Sequence, residues 1–286
     1  MPRFLVVGHV TWDRLQGRDV LGGTVSYAAL AAQRLGWEAA VLTAAGPDFE
    51  PERDLPGVRV FLRQAAATTR FVNVYEDDGT RREVLSGRSE DIDLTPLPDE
   101  WRRPEVLLLG PVAGEVPGGL AASFEAELVG AGAQGWLRTF EEDGSVSPRE
   151  WRDPARDLAG VHTVFLSEHD LPQAGVRARE LLACVPIVIV TRGWEGLRLY
   201  TRDAVHDVPS LPREEVDPTG AGDVFAAAFL LRYHEAGDAL AAAAFAACAA
   251  SCAVEGVGTE ALGDRAEVMR RLAARDRLLE EGEWDE

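Results

Sequence analysis

The sequence has no lysine; all 29 of its basic residues are arginine. That absence removes two common routes to phosphate chemistry in their usual form. A P-loop needs the lysine of its GK[ST] motif, and a protein kinase needs its strand lysine. Asparagine occurs once, as Asn73, and this scarcity of amides beside many arginines fits a GC-rich or heat-adapted source. The cysteines are few and odd in number: Cys184, Cys248 and Cys252. Cys248 and Cys252 stand one helical turn apart in an alanine-rich stretch and read as small buried thiols. No apolar run reaches the roughly 18 residues that a membrane span needs. The opening MPRFLVVGHV enters a strand-like run without a secretory h-region or cleavage site, so a cytoplasmic location is expected. The histidines show no metal-site spacing, which argues against a structural zinc. Acidic residues number 48, and the net charge of −19 should repel nucleic acid and anionic membranes.

The 286 residues suit one large α/β domain, 1–286, with ample core. RFLVVG at 3–8 reads as a buried strand, TVSYAALAAQRLG at 24–36 as a helix ending on Gly36, and EAAVLTAAG at 38–46 as the next strand. This β–α–β unit implies a parallel sheet. From 58 to 90 the texture changes to alternation of apolar and polar residues, with a DDGT turn. That is the mark of antiparallel strands with one wet face, a small sheet standing off the main domain, to which 11–21 adds a strand. After residue 100 the α/β rhythm resumes, with strands expected at 105–110, 134–138, 161–166, 186–191 and 196–200. Helices are expected at 117–131, 147–158, 172–183, 221–235, 237–254 and 264–281, with a frayed acidic tail.

One stretch carries chemistry: DPTGAGD, Asp217 to Asp223, at the mouth of an alanine-rich helix. Gly220 and Gly222 allow the backbone N–H groups of Gly220, Ala221 and Gly222 to converge at the positive end of the helix. Such a nest suits phosphate oxygens. Asp223 can cap that helix, or it can accept a proton from an alcohol attacking a phosphate held in the nest. The residues alone leave both readings open.

This stretch resembles the C-terminal signature of the ribokinase-like, or PfkB, family of carbohydrate kinases, D-T-x-G-A-G-D followed by a small-residue helix. The resemblance implies a ribokinase-like three-layer α/β/α fold, with a central mostly parallel sheet and a small β lid drawn from about 11–21 and 58–90. It makes Asp223 the catalytic base and Gly220, Ala221 and Gly222 the anion hole, with Asp217 and Thr219 organising the phosphate and cation end. GGTVSYAALAAQRLG matches the double-glycine signature, which assigns Gly22 and Gly23 to the acceptor hydroxyls. Asp13, in GHVTWDRL, matches the acid that binds those hydroxyls, a role suited to a carboxylate because it can accept from two of them. TRGWEG at 191–196 resembles the turn that packs against the nucleotide, which gives Thr191, Arg192, Gly193 and Gly196 as donor contacts.

Two departures stand out. The family's N-x-x-E motif reads LSEHDL at 166–171, so the magnesium-organising acid falls to Asp170 or Glu168, acting through water. Where ribokinases carry an asparagine after the double glycine, the matching position here is Tyr27 or Ser26, and an aromatic there alters the expected acceptor pocket. GGTVSY together with QGWLRTFEEDG at 134–144 is similar to the myo-inositol kinase branch, and this adds Gln134 and Arg138 at the C-terminal edge of a strand as acceptor contacts. The expectation is an ATP- and Mg²⁺-dependent kinase, with room for a monovalent cation such as K⁺, acting on a small sugar or cyclitol. Ribose, fructose, a nucleoside or a ketodeoxy sugar acid are the alternative acceptors, and a catalytically inert sugar- or nucleotide-binding protein is the alternative class. The family's lid strands admit either a monomer or a homodimer paired through the lid.

Overall fold

A computed structural model describes residues 1–15, 17–75, 81–170, 173–211 and 213–281. The expected DDGT turn at 77–80, the first residue of the expected 172–183 helix and the end of the acidic tail lie outside them. The elements in chain order begin with β1 (Arg3–Val7), β2 (Thr11–Leu15), β3 (Arg18–Gly22), α1 (Thr24–Arg34), β4 (Glu38–Ala45) and α2 (Pro51–Asp54). There follow β5 (Arg59–Gln64), β6 (Thr69–Tyr75), β7 (Arg81–Gly87), β8 (Val106–Leu109), β9 (Leu128–Gly132), β10 (Arg138–Phe140) and β11 (Val146–Pro148). The chain continues with α3 (Pro154–Asp157), β12 (Thr163–Ser167), α4 (Ala174–Leu181), β13 (Ile187–Thr191), β14 (Leu197–Tyr200) and β15 (Val205–Val208). It closes with α5 (Ala221–Ala236), α6 (Ala239–Ala253) and α7 (Arg265–Glu281).

Among the described residues the strands form a nine-stranded sheet in the order β15-β14-β13-β12-β9-β8-β1-β4-β5, a four-stranded sheet β3-β2-β6-β7, and a two-stranded hairpin β10-β11. In the large sheet β5 through β13 run parallel; β14 alone runs in the opposite direction, pairing antiparallel with β13 and with β15. Alternation along its buried strands separates two cores. Phe4 and Val6 of β1 point into the layer holding α1, α5 and α6, while Leu5 and Val7 point into the layer holding α4 and the turns around Trp101 and Trp136. This is the three-layer architecture expected from the sequence. No described helix is long and apolar enough to cross a membrane.

The lid differs from expectation in one part. VRVFLR, read as a lid strand, is β5 and pairs in parallel with β4 at the edge of the large sheet. Its alternating pattern reflects an edge strand that is half open to solvent. The lid proper is β3, β2, β6 and β7, and the β10–β11 hairpin docks on its β7 side, where the Leu85 N–H donates to the Gly144 carbonyl at 2.8 Å. Two other expectations shift. QGWLR, read as a strand, begins a short 3₁₀ turn at Gln134–Leu137, and the neighbouring strand is Leu128–Gly132, inside the span read as a helix. The small residues of LVGAG carry no β signal of their own, so tertiary packing decides there. The expected helix at 147–158 shrinks to α3.

The lid is anchored by a buried polar knot at its root. Glu115 and His9 are both fully buried. Glu115 accepts from the N–H groups of His9 (2.9 Å), Val112 (3.1 Å) and Ala113 (2.7 Å). The His9 ring meets the Thr69 hydroxyl at 2.7 Å and the Glu90 carbonyl at 2.8 Å, joining β1 to both entry and exit of the lid. Burial holds the His9 ring below its ordinary pKa, so it is neutral near pH 7. Glu115→Ala leaves three buried N–H groups unpaired. It should lower stability by on the order of 3 kcal/mol, read as a fall in the urea midpoint at unchanged slope.

Candidate functional site

The site lies where the lid root, the first turn of α1 and the mouth of α5 meet. The double glycine makes this meeting possible. A Cβ on Gly22 would fall 2.1 Å from Asp13 Oδ2, and one on Gly23 would fall 2.4 Å from the His9 carbonyl oxygen. Gly23 also holds φ +82, a conformation that side chains disfavour. The pair therefore lets β3 turn directly into α1 while Asp13, across the β2–β3 ladder, folds its carboxylate over the turn. The Thr11 hydroxyl donates to Asp13 Oδ1 at 2.8 Å and sets its rotamer.

At the other side of the site, Asp217 is a loop organiser. Its Oδ1 accepts from the Thr219 N–H at 3.0 Å and its Oδ2 from the Gly258 N–H at 3.4 Å. The Val216 N–H donates to the Val254 carbonyl at 2.8 Å, stitching the 216–220 turn to the segment after α6. Gly220, at φ +78, is the N-cap of α5 and supplies no side-chain cap bond. The Ala221 N–H is turned back to the Pro218 carbonyl at 3.2 Å. Among the described residues this leaves the Gly220 and Gly222 N–H groups as the open members of the nest. Gly222 is exposed, with nothing within 4 Å of where a Cβ would stand.

Asp223 is not the cap. It sits three residues into the helix. It is half-buried, and its pKa is pushed up to about 6. Burial is the main cause; the Thr24 side chain pulls the other way, the charges of Asp13 and Asp170 raise it further and Arg138 lowers it. Asp13, Asp170 and Arg138 thus lie close enough to Asp223 for their charges to act on it.

The two acids proposed for magnesium separate. Asp170 Oδ2 accepts from the Ser167 N–H at 2.7 Å, and burial raises its pKa while Arg138 lowers it. Glu168 is exposed and instead lines a groove of about 770 Å³ with Arg179, Arg192 and Tyr200. Arg138 extends from β10 to the lid, pairing with Glu83 of β7 at 3.1 Å and lying 5.8 Å from the centre of the Phe71 ring. Gln134 is exposed just past β9.

The 191–196 turn is closed by the Arg192 N–H to the Gly196 carbonyl at 2.8 Å, and Gly193 faces open space. The Thr191 hydroxyl reaches the Leu166 carbonyl at 3.3 Å, within its own strand pair. The Arg192 guanidinium is engaged by Asp207 at 3.0 Å and Glu195 at 3.5 Å, and it is not among the groups acting on Asp223. Arg192 thus stands in an ion-pair cluster at the groove that Glu168 lines. Tyr27 is 1% exposed, with its ring beneath Gly220. Thr24, Glu115 and His9 were not singled out from sequence. A threonine after two glycines, and a glutamate in a loop, carry no pattern that separates them from solvated residues.

The family model for pfkB family carbohydrate kinases matches residues 16–264. A cytidine kinase of Thermococcus kodakarensis is 28% identical over 258 residues, covering 82% of this chain and 89% of its own. An inositol 3-kinase of Oryza sativa subsp. japonica is 33% identical over 256 residues, covering 79% of this chain and 61% of its own. A solved pyrophosphate-dependent kinase in the ribokinase family, complexed with a pyrophosphate analogue and myo-inositol, matches with a TM-score of 0.78 at 21% identity, over 94% of this chain and 99% of its own. The last likeness places the fold as ribokinase-like.

The raised pKa of Asp223 has a consequence for stability. A carboxyl that holds its proton more tightly when folded than when unfolded costs stability once the pH exceeds the unfolded value, and the whole cost is present above about 6. Asp223→Asn removes that cost. The variant should melt at a higher temperature than the parent at pH 8, by the equivalent of about 1–3 kcal/mol, and the gain should vanish near pH 4.

Proposed function

Because the chain belongs to the pfkB family of carbohydrate kinases, we propose that it transfers a phosphoryl group from Mg-ATP to a hydroxyl of a small polyol, with a myo-inositol-like cyclitol as the favoured acceptor. The observation that carries this reading is Asp223: a half-buried carboxyl with a pKa of about 6, next to open N–H groups at a helix mouth and within the field of Asp13. A base of that strength is largely ionised at neutral pH yet still takes a proton readily.

In this reading Asp13 and the backbone at Gly22 and Gly23 hold acceptor hydroxyls under the lid. Gln134 and Arg138 approach from the end of β9 and the start of β10. Asp223 takes the proton of the attacking hydroxyl as the phosphoryl group transfers. The Gly220 and Gly222 N–H groups, at the positive end of α5, hold the oxygens on which charge accumulates. Arg138 is the cation nearest in effect to the base, and its pairing with Glu83 ties its position to the lid. Closure of the lid excludes water and strengthens each of these interactions.

Among the described residues no cluster of three or more His, Cys, Asp or Glu side chains could hold a metal by itself. That fits Mg²⁺ carried mainly by phosphate oxygens and water, with Asp170 rather than Glu168 as the acid facing it. Bound there, Mg²⁺ neutralises charge on the donor phosphates. A nucleotide donor is favoured over pyrophosphate by three exposed apolar residues on the donor-side loops: Trp194 (82% exposed), Val216 (58%) and Val257 (42%). A base could cover such residues, and pyrophosphate would leave them bare. The 33% identity to an inositol 3-kinase supports the cyclitol, and the 28% identity to a cytidine kinase keeps a nucleoside as the second acceptor.

A phosphorylation screen with ATP and with pyrophosphate, against myo-inositol, ribose, fructose, nucleosides and ketodeoxy sugar acids, tests the reading. Turnover of a cyclitol with ATP is expected; turnover with pyrophosphate alone, or binding of ATP without turnover of any acceptor, would overturn it. With the acceptor so found, kcat/KM should fall as the pH drops through about 6, because protonation removes the base. Asp223→Asn should lower kcat by roughly 10²–10⁴ while the protein remains folded.

A further inference from the structure

The first turn of α1 stands between the acceptor glycines and the mouth of α5, and it is packed more tightly than a helix start requires. The Ser26 hydroxyl donates to the Gly22 carbonyl at 2.7 Å and locks the turn. Tyr27 follows. A Cβ placed on Gly220 would lie 2.2, 2.3 and 2.4 Å from Cδ1, Cε1 and Cγ of its ring. The turn that presents the nest therefore rests on the flat of an aromatic ring, at a residue whose φ of +78 already favours glycine. The Tyr27 hydroxyl has no hydrogen-bond partner among the described residues, although it lies in the field of Asp13, Asp217 and Asp223. A buried phenol without a partner costs stability. The contact the structure gives this side chain is made by its ring, beneath Gly220. Thr24, 6% exposed, packs its methyl against Gly110, where a Cβ would stand 2.4 Å away, and so seats the start of the same turn.

We propose that the first turn of α1 positions the transfer machinery: the Tyr27 ring is the platform that fixes the Gly220 turn and with it the nest. Tyr27 is a positioning residue, and the inference rests on the kinase reading above. The device links the two halves of the reaction. The same turn that begins at the acceptor glycines sets the distance from acceptor to nest. Small displacements of reacting groups carry large rate penalties, so the platform should act on kcat more than on binding.

The test is steady-state kinetics with the acceptor identified by the screen, together with thermal melts, on Tyr27→Leu and Tyr27→Phe. Tyr27→Leu should lower kcat by roughly 10–100-fold with acceptor KM within about threefold of the parent. Tyr27→Phe, which keeps the ring, should restore kcat. Should Tyr27→Leu fail to fold, Tyr27→Met fills the space without a rigid face and should show the same loss. Parent-like kcat in Tyr27→Leu or Tyr27→Met overturns the inference. An active Asp223→Asn overturns the base assignment instead, so the two failures are told apart.

Discussion

The site depends on one contact, the meeting of the N-terminal turns of α1 and α5. Two helices that pack along their lengths need not bring their starts together. Here they do so because Gly220 has no side chain and so admits the Tyr27 ring. The alanine-rich faces of both helices make the close approach possible. Ala28, Ala29, Ala227 and Ala228 are fully buried between them and the sheet. A larger residue at any of these positions would separate the helices and with them the base from the acceptor glycines.

The lid is held by a different kind of force. Its root is polar and buried: Glu115 neutralises nothing with its charge but satisfies three backbone N–H groups, and His9 bridges β1 to strands that enter and leave the lid. Such a network is costly when incomplete and rigid when complete, which suits a hinge that must return to one geometry. Beyond the root the lid has a small apolar core of its own, Phe71 with Leu85, Val112, Phe140 and Val146, shared with the β10–β11 hairpin. Its free side reaches the donor half, where Val20 of β3 stands 3.0 Å from the position a Cβ would take on Gly258. Gly258 in turn donates to Asp217, so the lid touches the loop that orders the nest.

Much of this was legible before any coordinates. The glycine pair, Asp13 and DPTGAGD mark backbone needs and charge that few other patterns satisfy, and the structure gathers them around one point. The β-α-β periodicity of 3–46 and the helices from 221 onward are long and regular enough to read directly. The failures share a cause. β5 alternates because it is an edge strand, and alternation alone does not say which sheet it joins. β9 is built from LVGAG, whose residues take strand form only because β8 and β12 lie on either side. The place of the Tyr27 ring was obscure because it comes from a contact to Gly220, about 190 positions away, and no local period encodes such a contact.

The missing lysine bears on the strength of the base. Asp13, Asp170, Asp217 and Asp223 crowd the site with negative charge, and Arg138 is the cation that acts on Asp223. An ammonium placed beside Asp223 would hold its pKa near or below the ordinary carboxylate range and leave a weak base. In the proposed reaction neutral backbone N–H groups and a helix terminus would receive the phosphate, and they lower the basicity of Asp223 less than a lysine would. The Arg138–Glu83 pair goes further in the same direction, since the glutamate offsets part of the guanidinium charge. The acidity of the chain and the raised pKa at its helix mouth are thus two aspects of one arrangement. On the proposed reading, charge for the transferring phosphate would come with the donor and its metal, and the protein would supply dipoles, distance and a proton acceptor.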